Sequence, residues 1–284
     1  MSTAKRVAEH KKYLVVTCVI FSIYTVLLLF PEVWLLINSG KEVVEFSESS
    51  WAWPKSFKFS NYAYMFTNEN YNMAEAFGNS ILYCFTVPTA GIISTTFAAY
   101  ALSKFDFRGK KALYFIHILP MLVCITGSSS ALWIFFNELN LYNNPFSLIW
   151  AGAGGTGMNF LLVYSVFKNV SRTYMEAAEI DGASDFTVFI KIMIPQALGI
   201  IGTLWMLGFI GSWNEYASYE LYTPNYKTVS TVLTSIQRNI TEGGYQDYPK
   251  FFAAIVISIV PVVAIFLVFQ KQIMQMSLGG GIKG

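Results

Sequence analysis

The chain has 284 residues, of which 54% are hydrophobic, 17% aromatic and only 13% charged. Soluble domains usually carry about 25% charged residues, so this composition excludes an ordinary soluble domain and predicts a membrane protein with several crossings. The net charge of +2 provides no basic surface for nucleic acid. The three cysteines and two histidines have no spacing typical of a disulfide framework or a metal site.

Six apolar segments approach or exceed the roughly 20 residues that a helix needs to cross a bilayer. Because backbone groups in lipid must be hydrogen-bonded within the segment, we expect each one to be a helix. The alternative for the first segment is a signal peptide, but its apolar stretch is too long and no small-x-small cleavage site follows it. The expected fold is all-α and integral to the membrane, with six transmembrane helices at 13–37, 76–102, 112–136, 146–167, 196–219 and 251–269.

Lysine and arginine are unevenly distributed among the connections between these segments. Thirteen lie in the N-terminal segment, the second and fourth connections and the C-terminal tail, and six lie in the other connections. Because these residues concentrate on the cytoplasmic side, both termini are predicted to be cytoplasmic. The predicted order is a cytoplasmic N-terminus 1–12, a first helix 13–37, an external loop 38–75, a five-helix core 76–270 that contains an external loop 220–250, and a cytoplasmic tail 271–284.

The predicted cytoplasmic connection 168–195 has an unusual pattern. Its acidic residues, beginning with Glu176, favour the start of a helix, and Ala177 and Ala178 are small enough for another surface to approach closely. Gly182 is a helix end, since glycine adopts the left-handed conformation without penalty. Pro195 then opens the fifth crossing. The pattern predicts two short helices along the membrane face, and the alternative is a solvated amphipathic connector.

This connection resembles that of permease subunits of binding-protein-dependent ABC importers, which carry the spacing Glu-Ala-Ala-x3-Gly-x9-Ile-x-Leu-Pro. The one departure is isoleucine in place of leucine, a volume-conserving change. Three further runs, at 179–184, 212–216 and 278–284, are similar to carbohydrate permeases of the maltose and multiple-sugar type, the last to the second of their two permeases. The resemblance extends from residue 54 to residue 284 and implies a type I ABC importer permease fold. The matching positions are Glu176, Ala177, Ala178, Gly182, Ile192, Ile194 and Pro195.

The resemblance implies three contact regions with partner proteins. In relatives, a coupling helix docks on the ATPase, the glycine-rich tail extends toward the ATPase dimer, and the last outer loop reaches the solute-binding protein. A frayed terminus and an ordinary exposed loop are the alternatives for the last two regions. By position the coupling residues are Glu176, Ala177, Ala178, Glu179, Asp181, Gly182, Ala183 and Ser184, the tail residues are Gly279, Gly280, Gly281 and Lys283, and the loop residues are Tyr222, Tyr226, Gly243, Gly244 and Tyr245.

Residues of the substrate pathway are less clearly marked. Aromatic rings that stack on sugar faces and side chains that hydrogen-bond to hydroxyls suit a carbohydrate, but tryptophan and tyrosine are also typical of membrane interfaces. The glycine-rich run 151–157 lacks the lysine of a phosphate-binding loop, and it permits either close helix packing or a local break at the pathway. The pathway candidates are Trp133, Trp213, Asn214, Glu215 and Tyr216.

The expected function is that of a sugar or oligosaccharide permease subunit in a prokaryotic cell membrane. Its expected partners are a homologous second permease, an ATPase dimer that binds ATP and magnesium, a solute-binding protein, membrane lipid and the carbohydrate. The chain itself is expected to bind no cofactor and to catalyse no reaction, because it has no phosphate-binding loop. A secondary transporter or channel is the alternative, but it needs charges in mid-helix, and the six segments are nearly free of them. An intramembrane enzyme needs paired acids, a Ser/His pair or a metal cluster, and the sequence suggests none.

Overall fold

The computed structural model describes residues 3–123, 127–242 and 246–279, with side chains between residues 13 and 270 except that of Glu179. All regular structure in these ranges is helical. The helices are α1 (Thr3–Ser39), α2 (Val43–Glu48), α3 (Ser60–Thr67), α4 (Met73–Lys104), α5 (Lys110–Leu122), α6 (Ser128–Glu138), α7 (Pro145–Gly152), α8 (Met158–Asn169), α9 (Arg172–Ile180), α10 (Asp185–Val188), a π-helical turn (Phe189–Met193), α11 (Ile194–Asn214), α12 (Ala217–Tyr222), α13 (Val229–Thr241) and α14 (Tyr248–Gly279).

One compact unit comprises residues up to Tyr71 together with Ser235–Val260. Its connection from α1 to α3 is organised by the buried Asn61, whose amide donates to the carbonyl oxygens of Ser39 at 2.8 Å and Lys41 at 2.9 Å. The buried ammonium of Lys41 in turn donates to the carbonyl of Ser49 at 3.0 Å. The long connection expected after the first crossing is therefore a folded structure with two short helices.

The second unit comprises Asn72–Thr234 and the residues from Pro261 onward. Its central element is α4, which packs against α7, α8 and α11. Near the Lys104 end of α4, a core of buried apolar side chains includes Phe160, Phe167 and Met193. Near its other end, Tyr83 stacks on Tyr219 with ring centroids 4.6 Å apart. All candidate functional residues described below, except Gly279 at the end of α14, are positioned by this arrangement.

Four helices in the described ranges are long and apolar enough to cross a membrane. They correspond to the first, second, fifth and sixth expected crossings. The apolar window of the first contains no buried residue, as expected for a helix that faces lipid. The four are Tyr13–Ser39, Met73–Lys104, Asp185–Asn214 and Tyr248–Gln270.

The third and fourth expected crossings, 112–136 and 146–167, are not single helices. In the first of them, α5 ends at Leu122 and α6 begins at Ser128, after Gly127 with a φ of +85°. In the other, α7 and α8 are separated by 153–157, in which Gly155 and Gly157 have positive φ. A run of left-handed glycines cannot continue a right-handed helix. The structure therefore does not confirm that each of the six expected crossings is a single helix.

The fifth crossing also differs from the expectation. Pro195 is the second residue of α11, but the helical rod already begins at Asp185 and reaches α11 through the π-helical turn. The wider turn accommodates a residue that has no N–H group and whose ring would clash with the carbonyl four residues earlier. The rod ends at Asn214 rather than at residue 219, and much of the expected outer loop 220–250 is the helix α13.

Candidate functional site

The first helix of the connection 168–195, α9, has one face that packs against the core of the protein and one face that is exposed. Met175 is buried in the core near Lys104, and Ala178, one turn later, packs partly against that core. Glu176 and Ala177 are exposed, and Ile180 on the same face is 86% exposed. Ile180 is therefore a large apolar side chain on the open face of α9.

A glycine turn fixes the angle at which this helix ends. Gly182 has a φ of +77°, and the N–H of Ala183 donates to the carbonyl of Ala178 at 2.9 Å. This is the six-to-one hydrogen bond of a Schellman motif, which confirms the prediction of a helix end at Gly182. The Oγ of Ser184 then accepts from the N–H of Thr187 at 3.3 Å and caps α10. The coupling candidates therefore form a helix, a turn and a second helix start, as the sequence predicts.

The glycine-rich break between α7 and α8 lies directly on α4 and lines a cavity of about 290 Å³. A Cβ atom on Gly155 would lie 2.8 Å from the backbone nitrogen of Thr95, and one on Gly91 would lie 2.8 Å from the carbonyl oxygen of Gly152. Only glycine permits this approach. The run 151–157 thus provides both the close packing and the local break that the sequence left as alternatives.

The cavity contains hydrogen-bonding groups in the middle of apolar helices. Thr95 is only 1% exposed, and together with Thr156, Asn159 and Ser212 it lines the cavity beside the backbone of the break. Irregular backbone is tolerated at membrane depth where it lines such a cavity. An overlapping cleft of about 360 Å³ continues along α11 to Glu215. The polar side chains that line the cavity thus carry hydroxyl and amide groups, and the acidic Glu215 lies at the far end of the adjoining cleft.

The structure brings only one of the predicted pathway residues to this cleft, which is Glu215. Trp213 is 5% exposed and packs against Phe77 and Phe209. The side-chain amide of Asn214 donates to a backbone carbonyl one turn earlier in α11 at 2.9 Å, so this hydrogen bond lies within its own helix. Trp133 and Tyr216 are exposed side chains outside the cleft.

Thr95, Asn159 and Ser212 were missed by sequence reasoning, because a single polar residue in an apolar helix has no distinctive spacing. The glycine-rich run was the one available signal for this cavity.

The predicted outer contact residues are not all at the surface. Tyr222 is buried, and its hydroxyl donates to the carbonyl of Ser129 at 3.0 Å, so the expectation of a surface contact is corrected for this residue. Its ring also packs edge-on against Phe136, which makes it part of the core. Tyr226 is exposed, as the prediction requires.

Several other predicted residues lie at or beyond the limits of the description. Gly279 is the last residue of α14, and only the backbone of Glu179 is described. The part of the chain that the structure describes contains no group of metal-binding side chains. The predicted contacts outside the described residues are Gly243, Gly244, Tyr245, Gly280, Gly281 and Lys283.

A family model for the inner membrane component of binding-protein-dependent transport systems matches residues 89–275. The chain belongs to this family. It is a multi-pass protein of the prokaryotic cell membrane. The match covers α4 from residue 89 onward, the glycine-rich break, the coupling candidates and α11, so it includes the coupling candidates and most of the residues that line the cavity.

Curated relatives are similar over most of their length. The diacetylchitobiose uptake system permease protein NgcG of Streptomyces coelicolor is 26% identical over 94% of this chain and 88% of its own. The arabinooligosaccharides transport system permease protein AraQ of Bacillus subtilis is 24% identical over 97% and 98%. The maltose/maltodextrin transport system permease protein MalG of Photorhabdus laumondii is 26% identical over 72% and 71%.

Solved structures share the fold. A chain of a bacterial ABC transporter that imports the acidic polysaccharide alginate superposes with a TM-score of 0.77 at 24% identity, covering 95% of this chain and 98% of that one. A chain of an alginate ABC transporter in complex with a periplasmic protein that holds an alginate pentasaccharide gives a TM-score of 0.63 at 18% identity. At these identities the similarity establishes the architecture.

Proposed function

We propose that the chain is a permease subunit of an ABC importer for a sugar or oligosaccharide. It forms half of the pathway together with a homologous second permease. An ATPase dimer docks on residues 176–184 from the cytoplasmic side, and a solute-binding protein delivers the carbohydrate from outside. ATP and magnesium bind to the ATPase subunits, since this chain has no phosphate-binding loop.

The observation that carries this proposal is the open face of α9. Glu176, Ala177 and the 86%-exposed Ile180 project from a helix whose other face is fixed in the core by Met175. A helix that is anchored on one side and presents small and apolar side chains beside an acidic one on the other is suited to a groove in a partner protein. The left-handed Gly182 defines where this docking helix stops.

The geometry supports transmission of movement from this helix to the pathway. One helical rod runs from Asp185, immediately after the glycine turn, to Asn214. Leu204, Gly208 and Ser212 on this rod line the cavity beside the glycine-rich break. Closure of the ATPase dimer pulls the docking helix, tilts the rod and changes access to the cavity from one side of the membrane to the other, and ATP hydrolysis resets it.

Two observations favour a carbohydrate as the transported substrate. The cavity offers hydroxyl and amide groups, including Thr95 and Asn159, rather than paired charges. The similar proteins described above are named for the uptake of diacetylchitobiose, arabinooligosaccharides and maltodextrin, all of which are rich in hydroxyl groups. A stand-alone secondary transporter is the competing function, and it predicts uptake that needs no ATPase.

The test compares two glycines that both have positive φ and open surroundings, Gly182 after the end of α9 and Gly109 before the start of α5. Gly182 and Gly109 both have positive φ, at +77° and +92°, and no atom lies within 4 Å of a Cβ placed on either. Gly182→Val and Gly109→Val therefore impose similar backbone strain, on the order of 1–2 kcal/mol or more for a β-branched residue. Gly182→Asn tolerates the left-handed conformation and serves as the rescue variant.

We expect the assembled importer with Gly182→Val to lose at least 90% of its binding-protein-stimulated ATP hydrolysis and uptake. Gly109→Val and Gly182→Asn should retain most of both activities. Assembly is checked by co-purification of the ATPase subunits. Equal activity of Gly182→Val and Gly109→Val in assembled importers would show that the segment 176–184 does not couple the ATPase to transport.

A further inference from the structure

The end of α4 bonds to the chain on either side of the coupling candidates 176–184, and the stretch from Val170 to Asp185 is called the coupling connection below. The Nζ of Lys104 donates to the carbonyl of Val170 at 2.6 Å, where α8 ends and two residues before α9 begins. The hydroxyl of Tyr100 donates to the carbonyl of Asp185 at 3.2 Å, where α10 begins. Tyr100 and Lys104 are four residues apart in α4, so they lie on the same face of that helix. One face of one helix therefore bonds to both ends of the connection.

Lys104 is an unusual residue for this position. It is only 8% exposed, and within the described residues its ammonium is not part of an ion pair; its one hydrogen-bond partner is the Val170 carbonyl. Buried ammonium groups are normally paired with a carboxylate, because loss of hydration is unfavourable for the charge. Here the compensating group is the negative end of α8, whose last carbonyls have no partner within the helix. An apolar side chain would fill the same space at lower cost but would leave that helix end unattached.

Tyr100 reinforces the other attachment through its ring. The ring lies 4.8 Å from that of Phe189, which opens the π-helical turn, and is edge-on to Phe167 near the end of α8. The residue thus contacts both elements that flank the connection. Because the Tyr100 hydroxyl donates to a backbone carbonyl, this hydrogen bond holds the backbone of the coupling connection and does not depend on any side chain of the connection.

The same helix α4 reaches the cavity on its way across the membrane. Gly91 and Thr95 lie about three and a half and two and a half turns before Lys104 and line the cavity where α4 packs against the glycine-rich break. A displacement of the coupling connection that is transferred to α4 therefore moves one wall of the cavity. The rod 185–214 moves another wall.

We propose that Lys104 and Tyr100 are positioning residues that lock the coupling connection to α4, so that α4 transmits ATPase movement to the cavity in parallel with α11. This inference rests on the proposed function. It goes beyond the proposed function because it assigns part of the transmission of ATPase movement to α4. This helix precedes the coupling connection in the chain by more than 60 residues.

The test uses two conservative changes in the complete importer. Lys104→Met removes the ammonium and keeps a long unbranched side chain, and Tyr100→Phe removes one hydroxyl and keeps the ring. Ser103→Ala is the matched control, because the Ser103 hydroxyl donates only to the Tyr100 carbonyl within α4. The readout is the number of substrate molecules imported per ATP hydrolysed, together with co-purification of the ATPase subunits.

We expect Lys104→Met and Tyr100→Phe to hydrolyse ATP at no less than half the wild-type rate while import per ATP falls at least fivefold. Ser103→Ala should keep the wild-type ratio. If Lys104→Met fails to assemble, Tyr100→Phe carries the test, since its ring packing is retained. An unchanged ratio in assembled variants, or a parallel fall of hydrolysis and import, would overturn the positioning role. A wild-type importer whose uptake does not depend on ATP would instead refute the proposed function.

Discussion

The contact between Gly91 and Gly152 leads to a prediction that two substitutions in one helix can test. Gly91→Ala places a Cβ atom 2.8 Å from the carbonyl oxygen of Gly152, closer than such atoms approach in folded proteins. Gly78→Ala, in the same helix α4, places a Cβ where no atom lies within 4 Å. The two variants therefore add the same methyl group to the same helix, one against a backbone and one into open space.

The expected difference in stability follows from two effects. Alanine favours a helix over glycine by about 1 kcal/mol, and both variants gain this amount. Overpacking typically costs about 1–3 kcal/mol, and only Gly91→Ala incurs this cost, because a backbone carbonyl cannot rotate away as a side chain does. Gly91→Ala should therefore be about 1–3 kcal/mol less stable than Gly78→Ala.

The assay is thermal unfolding of the purified importer, followed by reaction of a thiol dye with the buried Cys84 in a background with no other cysteine in this chain. Gly91→Ala should become reactive at a temperature several degrees lower than Gly78→Ala, and it should also import substrate more slowly because α7 is displaced at the cavity. Identical transition temperatures would refute the close approach of α4 and α7 and, with it, the shape assigned to the cavity.

Two further predictions concern the cavity and the loop after α4. Thr95→Val removes a buried hydroxyl at constant shape and should raise the KM for uptake about two- to tenfold, the value of one hydrogen bond, with little change in ATP hydrolysis; an unchanged KM would place the substrate elsewhere. Asp106 has a pKa below its usual value because of its hydrogen bond to Lys110 and, secondarily, Arg172. The Asp106 carboxylate stabilises the fold at pH values above the ordinary pKa of aspartate, and this contribution is lost as the pH falls through the lowered pKa of the folded state. The asparagine variant Asp106→Asn lacks this titration, so its thermal stability should fall less than that of the wild type between about pH 5 and pH 3. Equal losses would contradict this.

The sequence was most informative where hydrophobic length alone decides the structure. The apolar helices beginning at Tyr13, Met73 and Tyr248 are close to their predicted spans, because a long apolar segment in lipid has no alternative to a helix. The ends of α5 at Leu122 and of α7 at Gly152 were not predicted. Hydropathy depends only on composition, and a glycine lowers the hydropathy of an apolar segment very little. The same glycine allows backbone conformations that end a helix.

In the coupling connection, residue type and position were sufficient to predict the end of the first helix. Gly182 was predicted as a helix end from its residue type and position, and its φ of +77° confirms this. The π-helical turn before Pro195 was not predicted, since it arises from fitting a proline into a rod that had already begun at Asp185. The connection's attachment to α4 depends on Lys104 and Val170, which are far apart in the sequence, and no local pattern reveals such a pair.

For the pathway, residue type was a poor guide. Trp213 was a pathway candidate because aromatic rings suit carbohydrates, but it is buried against other aromatic rings. Burial of an aromatic side chain depends on which helices pack together, and this cannot be read from one segment. The residues that do line the cavity, such as Thr95 and Asn159, are small polar groups whose role appears only when α4, α8 and α11 are assembled.

The central claim is that substrate crosses this permease only when an ATPase acts on the exposed helix around Ile180. The most direct measurement is uptake of a labelled oligosaccharide into vesicles that contain the two permeases and the binding protein, with and without the ATPase subunits and ATP. We expect uptake above the leak of empty vesicles only when the ATPase subunits and ATP are both present. Sustained accumulation by the permeases alone would contradict it.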